Sequence, residues 1–100
     1  MLSLIPIEIS QTASSGAWST NTERFTGVDL RQIIIKATTA TTTFDFSITD
    51  EKSNVVYEKE GNTGTLNELL YLPMRGIYTL AVANSSVVDS AYTGRLMMEA

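Results

Sequence analysis

The chain has 100 residues, 43% of them hydrophobic and 18% charged, and its 7 basic and 11 acidic residues leave a net charge of −4. That composition describes one globular domain and excludes a disordered chain. With no cysteine and no histidine, a disulfide framework, a thiolate or imidazole metal site and the commonest general base are all excluded. The first residues, MLSLIPIE, have no basic start and meet an acid at Glu8, so no signal peptide is expected. Ile5, Ile7 and Ile9 alternate with Pro6 and Glu8, the period-two pattern of a strand. An apolar strand over residues 2–9 would be a liability unless it pairs with something. Residues 10–22 (SQTASSGAWSTNT) show no periodicity and read as a surface loop, or as an arm lying over a neighbour that takes in residues 1–22. Residues 9–22 form the longest uncharged run, 14 residues rich in Ser and Thr, short of the about 20 apolar residues a membrane span needs.

Residues 31–36 (RQIIIK) are an apolar run with polar ends. They predict a strand covered on both faces or buried beneath a neighbouring segment. The threonine-rich residues 38–43 are expected to form a hairpin or crossover loop. Phe44, Phe46 and Ile48 then alternate with Asp45, Ser47 and Thr49, a half-buried strand. Residues 50–54 (DEKSN) predict a hairpin turn with Asn54 left-handed. Residues 61–64 (GNTG) predict a second turn. Residues 65–72 hold Leu66, Leu69 and Leu70 at helical spacing, but a strand is preferred there over one helical turn. Residues 72–76 (LPMRG) predict another turn, and residues 84–86 break the last two strands. Tyr78, Leu80 and Val82 alternate, as do Tyr92, Leu96 and Met98. Strands at such spacing, with fourteen threonines, argue an all-β, single-domain antiparallel β-sandwich of about eight strands.

The cations Arg24, Arg31, Lys36, Lys52, Lys59, Arg75 and Arg95 are scattered, never adjacent. Binding a phosphate backbone or an anionic membrane needs clustered cations, so neither nucleic acid nor membrane is an expected partner. Catalysis without His or Cys would have to use carboxylates, lysine, tyrosine or hydroxyls. Asp45 and Asp50 are five apart and would face opposite sides of one strand, while Asp29 stands alone. The oxygen donors Asp50, Glu51 and Asn54 share one loop, but calcium wants six to eight oxygens. Asn84-Ser85-Ser86 matches a glycosylation sequon without a secretion signal beside it. No catalytic, cofactor or metal residue is therefore expected, and the protein reads as a non-enzyme.

What remains is protein contact. Trp18 is either a plug closing the sandwich or an anchor in a partner's pocket. Met74 and Arg75 at a turn tip, and Met97 and Met98 near the C-terminus, are weaker candidates than Trp18, core filling being the default for Met. With Leu4, Ile5 and Ile7 from the first strand and Phe25, the candidate interface is Leu4, Ile5, Ile7, Trp18, Phe25, Met74 and Arg75. A carbohydrate-binding or host-recognition module is the alternative. It would need Trp18, Phe25, Tyr57 and Tyr71 exposed on one face.

Residues 44–58 (FDFSITDEKSNVVYE), 72–86 (LPMRGIYTLAVANSS) and 91–99 (AYTGRLMME) resemble the small jelly-roll sandwiches of bacterial pre-peptidase C-terminal domains. Asp50 matches their aspartate turn, Gly76, Ile77 and Tyr78 their Gly-x-Tyr strand, and Tyr92 their closing Tyr strand. In overall style, a Thr/Ser/Ala-rich acidic β chain without Cys or His resembles small virion proteins of tailed bacteriophages. Among these, head decoration (cement) proteins are the closest group. That resemblance implies a structural protein that binds the major capsid protein or other virion subunits on the outer capsid surface. It further implies a homo-oligomer, a trimer being favoured. A tail or baseplate component is its nearest rival.

Overall fold

The computed structural model describes residues 4–100, and Leu4 through its backbone only; Leu2 and Ser3 of the expected first strand lie outside the described residues. Eight strands follow in order: β1 (Leu4–Ala13), β2 (Trp18–Asn21), β3 (Phe25–Ala37), β4 (Thr43–Thr49), β5 (Val55–Thr63), β6 (Thr65–Gly76), β7 (Thr79–Ala83) and β8 (Ser90–Glu99). They form two four-stranded antiparallel sheets, β1-β8-β3-β6 and β2-β7-β4-β5. Six of the seven connections cross from one sheet to the other, and only the β4–β5 hairpin stays within a sheet. This is the interleaved order of a jelly roll.

The inward faces supply one continuous core. Leu30, Ile33, Ile35, Leu66, Met74, Leu96 and Met98 from the first sheet meet Phe44, Phe46, Ile48, Leu80 and Val82 from the second. Tyr92 joins the sheets at one end, its ring 5.2 Å from Phe44 edge-on and 6.2 Å from Trp18. Its hydroxyl is 2.7 Å from Ser85 Oγ, which satisfies the polar tip that the burial of the ring would otherwise strand. At the other end Phe25 lies 6.2 Å from Tyr78, and the Arg75 N–H donates to Tyr78 Oη at 2.9 Å.

Several sequence expectations change. Residues 10–22, read as a loop or an arm, continue β1, turn through a short 3-10 segment (Ser14–Gly16) and form β2. The segment looked unpatterned because its strands are edge strands with small side chains, and the turn between them shifts the alternation. The 31–36 run lies in β3, and among the described residues no segment covers its outer face. Ile33 and Ile35 point into the core, while Ile34 is half-buried outside, in a hollow walled by Glu8, Lys36 and Arg95. The stems of long charged side chains cover it instead of another element. The turn expected at residues 72–76 is strand. β6 runs on to Gly76, and Pro73 is accommodated because β6 is an edge strand. Pro6 sits likewise on the opposite edge strand of the same sheet.

The 50–54 hairpin forms, but its left-handed residue is Ser53 (φ 65°), not Asn54. The Asp50 carboxylate accepts the Lys52 and Asn54 N–H groups, each at 2.9 Å, and the Asn54 side-chain amide at 3.2 Å. Hydrogen bonds to the charged form, the Asn54 N–H foremost, hold the Asp50 carboxyl below the ordinary aspartate value of 3.8. Asp45 is lowered in the same way, first by the Asn84 side chain (2.7 Å) and then by the Gly61 N–H (2.9 Å). A depressed folded-state pKa contributes stability above the unfolded value and loses it as pH falls through the folded one. Asp45→Asn should therefore be less stable than wild type near neutral pH. The gap should close as the pH drops below about 4, which urea titrations at several pH values would read.

Candidate interaction surface

The expected interface residues separate on burial. Trp18 is 6% exposed, Phe25 7% and Met74 1%, so all three belong to the core and present nothing to a partner. Trp18 is the plug of the two readings, seated against Tyr92. The tight cross-strand packing of a small sandwich draws in every large side chain on an inward face. Ile7 is partly buried against the core, Ile5 is 47% exposed, and Arg75 is exposed. The side chain of Leu4 lies outside the described residues. Phe25, Met74 and Arg75 do fall together, since Phe25 pairs with Gly76, Thr26 with Arg75 and Val28 with Met74. Met74 and Arg75 border a shallow hollow of about 330 Å³ with Asp29 and Pro73. Trp18 is at the opposite end, and no single surface contains the whole set.

Residues that the sequence reading did not select make the more prominent surface. On β6, Leu66, Met74 and Gly76 are buried on the inner face, while Leu69 and Tyr71 are directed outward at 77% and 62% exposure. β3 shifts register at Arg31 against both its neighbours, and such a bulge re-aims a side chain. The Arg31 guanidinium lies 5.5 Å from the Tyr71 ring centroid and 2.8 Å from Glu99 Oε1. Gln32, which pairs with Leu69 on one side and Met97 on the other, donates to Asn67 Oδ1 at 2.8 Å. The outer face of the first sheet thus carries a protruding Leu–Tyr pair, an arginine stacked on the tyrosine, and a fringe of amides. Of these residues only Tyr71 figures in the sequence reading as a surface candidate, among the aromatics that carbohydrate binding would need exposed. The signal for the pair was hidden because NELLYL is apolar on both strand parities.

Three of the seven cations pair with acids. Arg24 pairs with Glu51 (3.2 Å), Arg31 with Glu99 and Arg95 with Glu8 (2.8 Å). Glu51 Oε1 also accepts the Ile77 N–H at 2.7 Å, tying the β4–β5 hairpin to the β6–β7 turn. Asp45, Glu58 and Glu60 share a shallow hollow on the outer face of the second sheet. Among the described residues no three His, Cys, Asp or Glu side chains converge on a metal position. Of the four aromatics that a carbohydrate reading requires, Trp18 and Phe25 are buried. Tyr57 is half-buried, its hydroxyl donating to Glu68, which leaves Tyr71.

The Tyr57–Glu68 bond (2.5 Å) joins β5 of one sheet to β6 of the other. Burial first, then the Glu68 carboxylate, pushes the Tyr57 hydroxyl well above the ordinary tyrosine range, so it remains a donor at alkaline pH. Tyr57→Phe leaves a half-buried carboxylate without this donor and should cost about 1 kcal/mol by urea unfolding. An unchanged midpoint would show that water replaces it freely.

No known family model matches the chain, and no curated protein does. The fold therefore defines the class, an eight-stranded jelly-roll sandwich. Among solved structures, one similar chain comes from "Structure of infectious bursal disease virus Gx strain", with a TM-score of 0.42 and 11% identity. The match covers 100% of this chain and 32% of the other, so this chain spans about a third of that one.

Proposed function

We propose that this protein is a non-enzymatic structural component of a phage particle, a decoration protein that binds coat subunits on the outer surface of the head. The observation that carries the reading is the protruding Leu69–Tyr71–Arg31 group on the outer face of the first sheet. Tyrosine and arginine are the residues that most often anchor protein–protein contacts, and a protruding group fits a shell better than a small ligand, which needs concavity. The net charge of −4 and the pairing of Arg24, Arg31 and Arg95 with acids agree with a partner that is protein. The jelly-roll order supplies rigidity without a deep pocket.

The test is co-sedimentation of the purified protein with undecorated phage heads. Saturable pelleting is expected, and Tyr71→Ala should weaken it at least about tenfold, a loss of about 1.4 kcal/mol. Tyr71 is exposed, so the variant should unfold at the wild-type urea midpoint. Absence of the protein from the pellet at every concentration would remove the decoration reading.

A further inference from the structure

The sandwich has four lateral edges, β1 and β6 of one sheet and β2 and β5 of the other. Three are blunted in ways that discourage strand addition. β2 is only 4 residues long. β5 exposes Glu58, Lys59 and Glu60 and shifts register twice against β4. β6 shifts twice against β3 and contains Pro73. β1 differs. It pairs with β8 over 10 residues, from Leu4 opposite Glu99 to Ala13 opposite Ser90, without a single shift. Among the described residues no other strand pairs with its free side. Its one charge, Glu8, is engaged by Arg95 at 2.8 Å across the face of the sheet, so it does little to guard the edge.

The side-chain pattern of β1 is also self-complementary. Set antiparallel to a copy of itself with Ile7 at the centre, Ile5 falls opposite Ile9, Ile7 opposite Ile7, and Pro6 opposite Glu8. All three isoleucines then meet isoleucines on the inner face, and the most exposed of them, Ile5, meets the most buried, Ile9. No like charges face each other. A register centred one residue later would place Glu8 directly against Glu8 and Ile5 against Gln11, which cross-strand energetics disfavour. Pro6 removes at most one donor per chain from the new ladder.

We propose that the free edge of β1 joins two copies of this chain about a two-fold axis at Ile7, fusing two four-stranded sheets into one of eight strands. The contact is isologous, as a two-fold requires, and closes both open edges at once. It does not depend on the protein binding a shell, and the co-sedimentation above reports separately on that reading.

Light scattering after size exclusion should give twice the 10.9 kDa chain mass. The mass of one chain at every concentration, or of three chains, would overturn the proposal. Because the chain has no cysteine, single thiols map the register. Ile7→Cys should form a covalent dimer on mild oxidation, since residue 7 meets its own copy. Ile5→Cys and the exposed Thr12→Cys should stay single chains on a non-reducing gel. Cross-linking equal at all three positions, or absent at position 7 in a folded variant, would refute the register. Should Ile7→Cys not fold, the exposed Ile5→Lys serves instead. It should raise the dimer dissociation constant at least tenfold, and an unchanged constant would count against β1 as the junction.

Discussion

Phe44→Ala is expected to cost about 3–5 kcal/mol, the usual range for emptying a buried aromatic site. Phe44 is 1% exposed and projects from β4 edge-on against Tyr92 of β8, with ring planes at 81°. It therefore links a central strand of one sheet to a central strand of the other. Removing it deletes apolar area and the edge-to-face contact together, and the neighbouring backbones lie in hydrogen-bonded ladders that cannot collapse into the void. Small domains have only about 5–15 kcal/mol of stability in total, so this one change should bring the chain close to unfolding at ordinary temperature. Urea unfolding by far-UV circular dichroism reads the effect as a fall in midpoint at unchanged slope. A loss below about 1 kcal/mol would mean that Phe44 is not packed as described.

The second large effect belongs to a residue with no side chain. Gly64 is the single residue between β5 and β6, where the chain leaves one sheet for the other, and its φ is +70°. A Cβ there would stand 2.5 Å from the Ala40 carbonyl oxygen. The site cannot yield easily, because the Gly64 N–H donates to the Thr42 carbonyl at 2.7 Å and its own carbonyl accepts the Ala37 N–H at 2.8 Å. Left-handed backbone costs an L-residue about 1–2 kcal/mol, and collision with pinned backbone adds to it, so Gly64→Ala should lose about 3 kcal/mol or more. Gly61→Ala provides the contrast. Gly61 also has positive φ (67°) but nothing within 4 Å of the added atom, so it should lose only the conformational part. Equal losses at the two glycines would show that strain alone, without the Ala40 contact, sets the cost.

How much of this was legible beforehand depended on whether alternation survived. In β4 and β8 it did, because Phe44, Phe46, Ile48 and Tyr92, Leu96, Met98 each keep one parity along an unbroken inner face. In β3 it did not. The bulges at Gly27 and Arg31 reset the phase, so Leu30 and Ile33, three residues apart, both point inward. Residues 31–36 looked apolar on both sides because the outward Ile34 stands between the inward Ile33 and Ile35. Pro73 was misleading for another reason. Proline argues against a strand interior but not against an edge, and which strands form edges is a property of the whole topology. The surface suffered most. Exposure of Leu69 and Tyr71, and burial of Trp18, Phe25 and Met74, follow from the facing of each strand, and residue type alone pointed the other way.

The position of β8 has a consequence for how the molecule comes into being. The strand nearest the end of the described chain is inserted between β1, the first, and β3, with Leu4 aligned to Glu99. On a ribosome, β1 must wait until the six strands between it and β8 have emerged before its partner exists. Until then the first sheet has a gap between β1 and β3. Closure needs contacts between opposite ends of the sequence, the kind of topology that folds in milliseconds to seconds, not microseconds. Loss of β8 would therefore be felt as loss of the whole sheet, whereas a trimmed loop elsewhere would leave both sheets able to assemble.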